Sequence, residues 1–215
     1  MIKKIIIVAI AITVGVSAID FESKSYYSRN YVYDAQVYSV NTFVSENIIS
    51  HEVGKFVPYV GYTQYQGLDK YRESDFGVGS EYKVSDEVTV DIGSWYYYYY
   101  SVGGHYFEPY VSVNYDWVIS PTVYVGILTY NKTARATVSF DYSKMVTDKI
   151  ELGISPVLGT VDYGDRYGYY GIRVNVDYKL NKYFSIFSGG EVDKPFNLGD
   201  NSSVYTYSFG LKLSI

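Results

Sequence analysis

The stretch GVGSEYKVSDEVTVDIGSWYYYYYS, residues 77–101, decides the fold of this chain. Apolar residues fall at every second position on both sides of a Ser85-Asp86-Glu87 turn, and small, polar or charged residues fill the positions between them. A period of two places alternate side chains on opposite faces of a β-strand. We therefore predict a β-hairpin with one apolar face and one polar face.

The far end of this hairpin is an unbroken run of six aromatic residues, from Trp95 to Tyr100. Tyr and Trp favour a membrane–water interface, because the ring is apolar while the hydroxyl or indole N–H needs water. We predict an interfacial girdle of Trp95, Tyr96, Tyr98 and Tyr100, together with Trp117. The hairpin thus indicates a transmembrane β-barrel, and a secreted soluble β-sandwich is the alternative.

The same plan recurs in residues 112–127, 139–154 and 175–190. Each segment has an alternating strand with a Tyr near its end, a tight polar turn and a second alternating strand. The spacing between these tyrosines varies, whereas solenoids and propellers hold their repeat length nearly constant. Hairpins joined by connections of variable length are typical of outer-membrane barrels. We predict a closed antiparallel barrel of twelve strands, or ten if the region before Lys55 is irregular.

The start of the barrel has the weakest pattern. We predict strands over residues 20–28 and 31–44, and an irregular connection over residues 47–54. An even number of strands places both chain ends on one side, and closure leaves no unpaired edge in hydrocarbon. The most polar connections, expected as outer loops, are residues 67–74, 162–167 and 193–202.

Residues 1–18 have the pattern of a cleaved secretory signal peptide. Lys3 and Lys4 precede an apolar run that is too short to span a bilayer, and Val16-Ser17-Ala18 forms a small-residue cleavage site. We expect residues 19–215 to form the barrel in a bacterial outer membrane. The chain contains no Cys, so stability must come from the sheet itself.

Composition excludes several classes of function. The formal net charge is −5, whereas nucleic-acid binding needs a basic footprint. His51 and His105 lack metal-ligand spacing, and no motif places a Ser beside either of them. We expect no nucleic-acid partner, no metal, no cofactor and no enzymatic activity, and a barrel hydrolase is the least favoured function.

Charged residues fall on the phase opposite to the apolar residues. On the lipid side, Arg or Lys at mid-bilayer depth would each cost about 2–4 kcal/mol, so we predict that these residues line a lumen. The predicted lumen and selectivity residues are Arg135, Arg173, Asp91, Glu108, Asp141, Glu151 and Asp177. Such charges either select solutes in an open pore or pair across strands and fill the barrel. Because about eight strands already give a filled interior, twelve strands favour a pore.

The order of these segments resembles the oligogalacturonate-specific monomeric porin family. The matching motifs are EYKVSDEVT (residues 81–89), EPYV (108–111), VNY (113–115), VDYKLNK (176–182) and YSF (207–209). The resemblance implies a monomeric, twelve-stranded outer-membrane barrel. It also implies a lumen rich in Arg and Lys for polyanionic sugars, whereas the predicted inward set here is mostly acidic. We therefore expect the architecture to carry over and the substrate to differ.

We predict a porin-like channel for passive diffusion of small hydrophilic solutes, either sugars or cations, and expect a monomer in the outer-membrane bilayer. The alternative is a non-conducting barrel that acts as a structural or adhesive surface protein through its outer loops.

Overall fold

The computed structural model describes residues 19–101, 103–129, 132–162, 166–196 and 202–215. These residues form twelve antiparallel strands in one closed barrel, so the predicted fold is confirmed and the ten-stranded alternative is wrong. The strands are β1 (Ile19–Tyr33), β2 (Gln36–His51), β3 (Phe56–Gly67), β4 (Arg72–Lys83), β5 (Val88–Tyr99), β6 (Gly104–Tyr115), β7 (Ser120–Leu128), β8 (Thr133–Met145), β9 (Ile150–Asp162), β10 (Arg166–Lys179), β11 (Phe184–Phe196) and β12 (Val204–Ser214). The predicted signal peptide, residues 1–18, lies outside the described residues.

No helix within the described ranges is long and apolar enough to cross a membrane.

Closure joins the first strand to the last. β1 and β12 pair antiparallel, from Glu22 opposite Ser214 to Ser28 opposite Ser208. Phe21 and Ile215 exchange backbone hydrogen bonds of 3.0 and 2.9 Å, so the last residue of the chain belongs to the seam. Every strand therefore has two neighbours, which removes the exposed edges that an open sheet would present.

Three turns at the end of the barrel where β1 begins and β12 ends have the same pattern of hydrogen bonds. The side-chain oxygens of Ser85, Thr147 and Asn181 each accept the backbone N–H groups two and three residues ahead, at 2.8–3.3 Å. Ser, Thr and Asn favour turns because they hydrogen-bond to the nearby backbone in this way. The same capped turn therefore occurs in three of the four hairpins that the sequence pattern predicts.

Contacts between strands that are not neighbours identify the inward face. Arg135 on β8 contacts Glu108 on β6 and Asp34 in the turn between β1 and β2. Other strands separate these elements around the ring, so the three side chains meet inside the barrel. Alternation then places every second residue inward and leaves large apolar side chains such as Ile92 and Leu158 exposed on the outside.

The first hairpin differs from the prediction. A single strand over residues 31–44 is wrong, because a two-residue turn at Asp34 and Ala35 separates β1 from β2. Both turn residues have positive φ, 48° and 58°, as a tight hairpin turn requires. The dipeptide Asp34-Ala35 lacks the glycine that is typical of such turns, so the sequence pattern does not predict a turn at this position. β2 then continues to His51, through most of the predicted irregular connection.

Trp95 faces the interior, so its assignment to the interfacial girdle is wrong. It lies directly opposite Gly77 on β4, and Gly77 lies opposite Gly61 on β3. A Cβ atom added at Gly77 or Gly61 would come within 2.6 or 2.9 Å of the Trp95 ring, so the indole covers both glycines. The strand alternates through the aromatic run regardless of side-chain chemistry.

The other girdle residues are placed differently. Tyr96 and Tyr98 have the outward phase of β5, and Tyr100 and Trp117 are exposed in connections at opposite ends of the barrel. Their contact with a membrane interface stays a prediction.

The contact between Trp95 and Gly77 gives a stability prediction. Gly77→Ala forces the indole or the backbone to move, and overpacking of this kind costs about 1–3 kcal/mol. The matched control is Gly190→Ala, because the nearest atom to an added Cβ there is 3.5 Å away. We expect Gly77→Ala alone to lower the free energy of unfolding, measured by urea titration in lipid vesicles. Equal effects of both changes would show that Trp95 does not pack tightly there.

Candidate functional site

The barrel lumen has two halves of different character. We call the end at which β1 begins and β12 ends the terminus end, and the opposite end the loop end. Near the terminus end, inward-facing charged side chains such as Arg173 and Asp141 are exposed. Near the loop end, inward-facing Glu73, Asp75 and Glu108 are buried. The lumen is therefore open toward the terminus end and filled by side chains toward the loop end. We call these two parts the open half and the closed half.

Arg135 is the central cation of the closed half. Its Nε donates to Glu108 Oε1 at 2.6 Å, and its Nη1 lies 3.6 Å from Asp34 Oδ1. The guanidinium also lies over two aromatic rings, 4.5 Å from the centroid of Tyr33 and 4.8 Å from that of Tyr124. Planar guanidinium groups suit this combination of carboxylate pairing and aromatic stacking.

Glu108 is fully buried, and its carboxylate is well satisfied. Besides Arg135, it accepts hydrogen bonds from the hydroxyls of Tyr97 at 2.7 Å and Tyr124 at 2.6 Å. Gly126 provides the space, since a Cβ atom there would come within 2.1 Å of Glu108 Oε1. A buried carboxylate is tolerated when a cation and hydrogen bonds compensate it in this way.

Residues 29–41, which we call the hairpin tip, bend into the lumen. β1 pairs with β12 only as far as Ser28, and β2 begins to pair with β3 only at Thr42. Beyond these residues the two strands pair only with each other, with a register shift after Tyr31. Asn41, at the base, has a positive φ of 53°. The backbone of the hairpin tip is therefore outside the ladder of the barrel wall and can follow its own path.

The hairpin tip is fastened to a strand that is not its neighbour in the barrel wall. The hydroxyl of Tyr167 donates to the Asp34 carbonyl oxygen at 2.8 Å, and that of Tyr169 donates to Asp34 Oδ1 at 3.2 Å. Both tyrosines are on β10, three strands away from β1 around the ring. Ala35 is only 2% exposed and belongs to a buried cluster with Val157 and both tyrosines. These contacts close the loop end.

The base of the hairpin tip is held by the turn between β3 and β4. Asp69 in that turn accepts hydrogen bonds from the Ser39 hydroxyl at 2.9 Å, the Val40 N–H at 3.2 Å and the Tyr71 N–H at 3.1 Å. Slight desolvation opposes the effect, but these hydrogen bonds hold the pKa of the Asp69 carboxyl below its usual range.

The half near the terminus end contains a polar cavity. Its volume is about 470 Å³, and its lining includes Asp141, Ser143, Gly153, Ser155 and Asn175. These residues lie on β8, β9 and β10, on the inward phase of each strand. An open space lined by hydroxyl, amide and carboxylate groups can admit water and small polar solutes.

Ion pairs in this half are looser than the Arg135 pair. Arg173 Nε donates to Glu191 Oε1 at 2.7 Å, but half of the Arg173 side chain is exposed. Lys179 and Glu151 are 3.7 Å apart, and Asp177 accepts the Asn175 amide at 2.9 Å. Exposed pairs like these exchange readily with water and solutes.

The side chains of all the predicted lumen residues lie at inward-facing positions of their strands, but these residues do not form one site. Arg135 and Glu108 form the closed half, whereas Arg173, Asp141, Glu151 and Asp177 are spread through the open half. Asp91 accepts hydrogen bonds from the Tyr59 and Tyr110 hydroxyls at 2.9–3.1 Å. Whether any of them selects solutes stays a prediction.

Sequence reasoning missed Tyr33, Tyr167 and Tyr169 as parts of the closed half. Tyr33 was assigned to a strand that ran through the turn, and the β10 tyrosines are two among 29 in the chain. The only available signal was the inward phase of Tyr167 and Tyr169 relative to Arg173 on the same strand. Within the described ranges, no three His, Asp or Glu side chains converge as metal ligands.

The two Arg–Glu pairs give a matched prediction. Arg135→Met leaves the fully buried Glu108 without its cation, which costs about 3–5 kcal/mol of unfolding free energy for a buried pair. Arg173→Met removes a half-exposed partner, which costs at most about 1 kcal/mol. Urea unfolding in lipid vesicles measures both values. Equal losses would contradict the division of the lumen into a closed half and an open half.

Comparisons with known proteins agree with the fold. No protein-family model matches the chain, and no curated protein matches it in sequence. The KdgM porin, solved in complex with disordered oligogalacturonate, is similar at a TM-score of 0.63 and 13% identity, covering 91% of this chain and 99% of KdgM. The NanC porin gives 0.59 and 13%, covering 92% and 100%. An outer-membrane channel of Pseudomonas putida F1 gives 0.53 and 8%, covering 94% and 97%. The chain therefore has the closed-barrel fold of outer-membrane porins.

Proposed function

We propose that this protein is an outer-membrane channel for passive diffusion of small hydrophilic solutes, with a preference for cations. The observation that carries the proposal is the open half of the lumen, where inward-facing charged and polar side chains are exposed around a cavity of about 470 Å³. A barrel with only a structural role has no need for a hydrated interior lined in this way.

The cation preference follows from the inward charges. Carboxylates outnumber basic groups on the inward face. The inward acidic residues are Glu22, Asp34, Glu46, Glu73, Asp75, Glu81, Asp91, Glu108, Asp141, Glu151, Asp177, Glu191 and Asp193, and the inward basic residues are Lys24, Lys83, Arg135, Arg173, Lys179 and Lys212. An excess of one sign in a narrow, low-dielectric passage attracts ions of the opposite sign.

Conduction requires that the hairpin tip move. In the described conformation, the hairpin tip fills the loop end together with the Arg135 cluster, by which we mean Arg135, Glu108, Asp34 and Tyr124. The passage is therefore closed to larger solutes there. The backbone of the hairpin tip joins the hydrogen-bond ladder of the wall only at its base, near Ser28 and Thr42, and its other contacts with the wall run through side chains such as Asp34 and Ser39. It can therefore swing without breaking the hydrogen-bond ladder of the barrel.

The closed loop end also supports a second candidate function, a non-conducting barrel. Here the closed half is permanent, and the protein acts through its connections at the loop end. The described connections offer little surface for this role, since only residues 34–35 join β1 to β2 and residues 68–71 join β3 to β4.

Conductance in planar bilayers separates the two functions. In one variant, residues 31–39 are replaced by Asn-Gly, which keeps the pairing of Asn30 with Val40 and every contact of β1 with β12. We expect the single-channel conductance to rise several-fold, because the closure at the loop end is removed. A salt gradient should give a reversal potential that indicates cation preference.

Asp141→Asn with Asp177→Asn is the control for selectivity. We expect this double variant to reduce the cation preference without changing the folded state, because Asp141 is exposed and Asp177 is only half-buried in the open half. Silence of both the wild-type protein and the shortened variant would reject the channel and favour the non-conducting barrel.

A further inference from the structure

Glu73 and Asp75 form a buried pair of carboxylates on the inward face of β4, close to the loop end. They are 1% and 4% exposed. Residues two apart on a strand share a face, with Cα atoms roughly 7 Å apart, so the two carboxylates can reach a common point. The pair lies outside the Arg135 cluster described above.

No cation compensates this pair. Two other inward carboxylates have a basic partner, since Glu108 pairs with Arg135 and Glu191 pairs with Arg173. Among the described residues, no Lys or Arg forms an ion pair with Glu73 or Asp75. Buried carboxylates are normally paired with a cation or coordinate a metal, because an isolated charge in a low-dielectric site is costly.

An unsatisfied atom marks the same place independently. Asp75 Oδ1 is buried and has no hydrogen-bond partner among the residues that the structure describes. Native proteins leave few buried polar atoms unpaired, and each such atom requires an explanation, an unseen ion among them. The Asp75 carboxylate therefore has a free coordination position within the site.

Residues that carry hydroxyl groups lie beside the pair on the two neighbouring strands. Across the ladder, Glu73 is flanked by Tyr65 and Tyr99, and Asp75 is flanked by Thr63 and Tyr97. Directly opposite residues in an antiparallel sheet have Cβ atoms about 5 Å apart. Glu73 also accepts a hydrogen bond from the Tyr71 hydroxyl. The site thus offers carboxylate and hydroxyl oxygens, with no His or Cys.

We propose that Glu73 and Asp75 bind one divalent cation of the Ca²⁺ type. An all-oxygen environment selects hard cations, and Ca²⁺ accepts irregular oxygen geometry. No third His, Asp or Glu converges on the pair in the described part of the chain, so the two negative charges balance one divalent ion. Hydroxyl groups and water complete the coordination.

The proposed site also lies beneath the hairpin tip. Tyr31 of the hairpin tip stacks on Tyr65 with ring centroids 4.4 Å apart, and its centroid is 5.8 Å from that of Tyr71. Tyr65 flanks Glu73, and Tyr71 donates to it. A cation bound at the pair would therefore stiffen the support on which the hairpin tip rests. This inference does not depend on whether the barrel conducts.

Terbium luminescence tests the site directly. Tb³⁺ replaces Ca²⁺ at oxygen-rich sites, and nearby tyrosines sensitise its emission when they are excited. Refolded protein in detergent is titrated with Tb³⁺, and Ca²⁺ is then added to displace it. We expect saturable emission with one ion per chain and its loss on addition of Ca²⁺.

The variant Glu73→Gln with Asp75→Asn keeps the shape of both side chains and removes both charges. We expect it to lose at least ten-fold in Tb³⁺ affinity. The matched control Asp141→Asn, an exposed lumen carboxylate, should leave the affinity unchanged. Equal titrations of the wild type and the double variant would overturn the proposal, as would an absence of saturable emission, which would mean that the pair holds only a proton. The single variant Asp75→Asn serves as a second test if the double variant fails to fold.

Discussion

The contact that organises this barrel is the bridge that Arg135 makes across the lumen. Its guanidinium joins Glu108 on the wall to Asp34 at the turn of the first hairpin. Both carboxylates are buried, so each depends on this cation for compensation. The bridge explains why the hairpin tip lies across the loop end of the barrel, and why that half of the lumen is filled.

Strand alternation is the second constraint, and it makes the interior polar. Because every second side chain points inward, charged residues that would be costly on a lipid-facing surface collect in the lumen. Near the loop end they are packed with tyrosine rings and buried. Near the terminus end, the same kinds of residue remain exposed around an open cavity. One barrel therefore contains a closed half that is packed with side chains and an open half that is lined by exposed polar side chains.

Much of this architecture could be predicted from the sequence. The alternation in β4, β5 and β12 gave the strand type, and the capped turns after Lys83, Met145 and Lys179 repeat a recognisable pattern. Alternation and turn residues are local features of the sequence, and neighbouring strands of an antiparallel sheet are joined locally, so these features predict the structure directly. The inward phase of Arg135 and Glu108 could be predicted for the same reason.

The path of the hairpin tip could not be predicted. Tyr31 and Tyr33 alternate as they would in a straight strand, and the Asp34-Ala35 turn lacks a glycine. The bend depends on the absence of ladder partners beyond Ser28 and on contacts with β8 and β10, which are far away in the sequence. The prediction that Trp95 lies in the interfacial girdle is wrong because it relies on the preference of Trp for interfaces. The direction of the side chain is set instead by the two-residue period of the strand.

The most direct test of this account is the reactivity of single cysteines in the hairpin tip, since the natural chain has none. Ala35 is 2% exposed and Val37 is 46% exposed, although only one residue, Gln36, lies between them. If the hairpin tip crosses the lumen, Val37→Cys will react rapidly with a polar maleimide, and Ala35→Cys will react many times more slowly. Equal, rapid labelling at both positions would contradict the closure of the loop end.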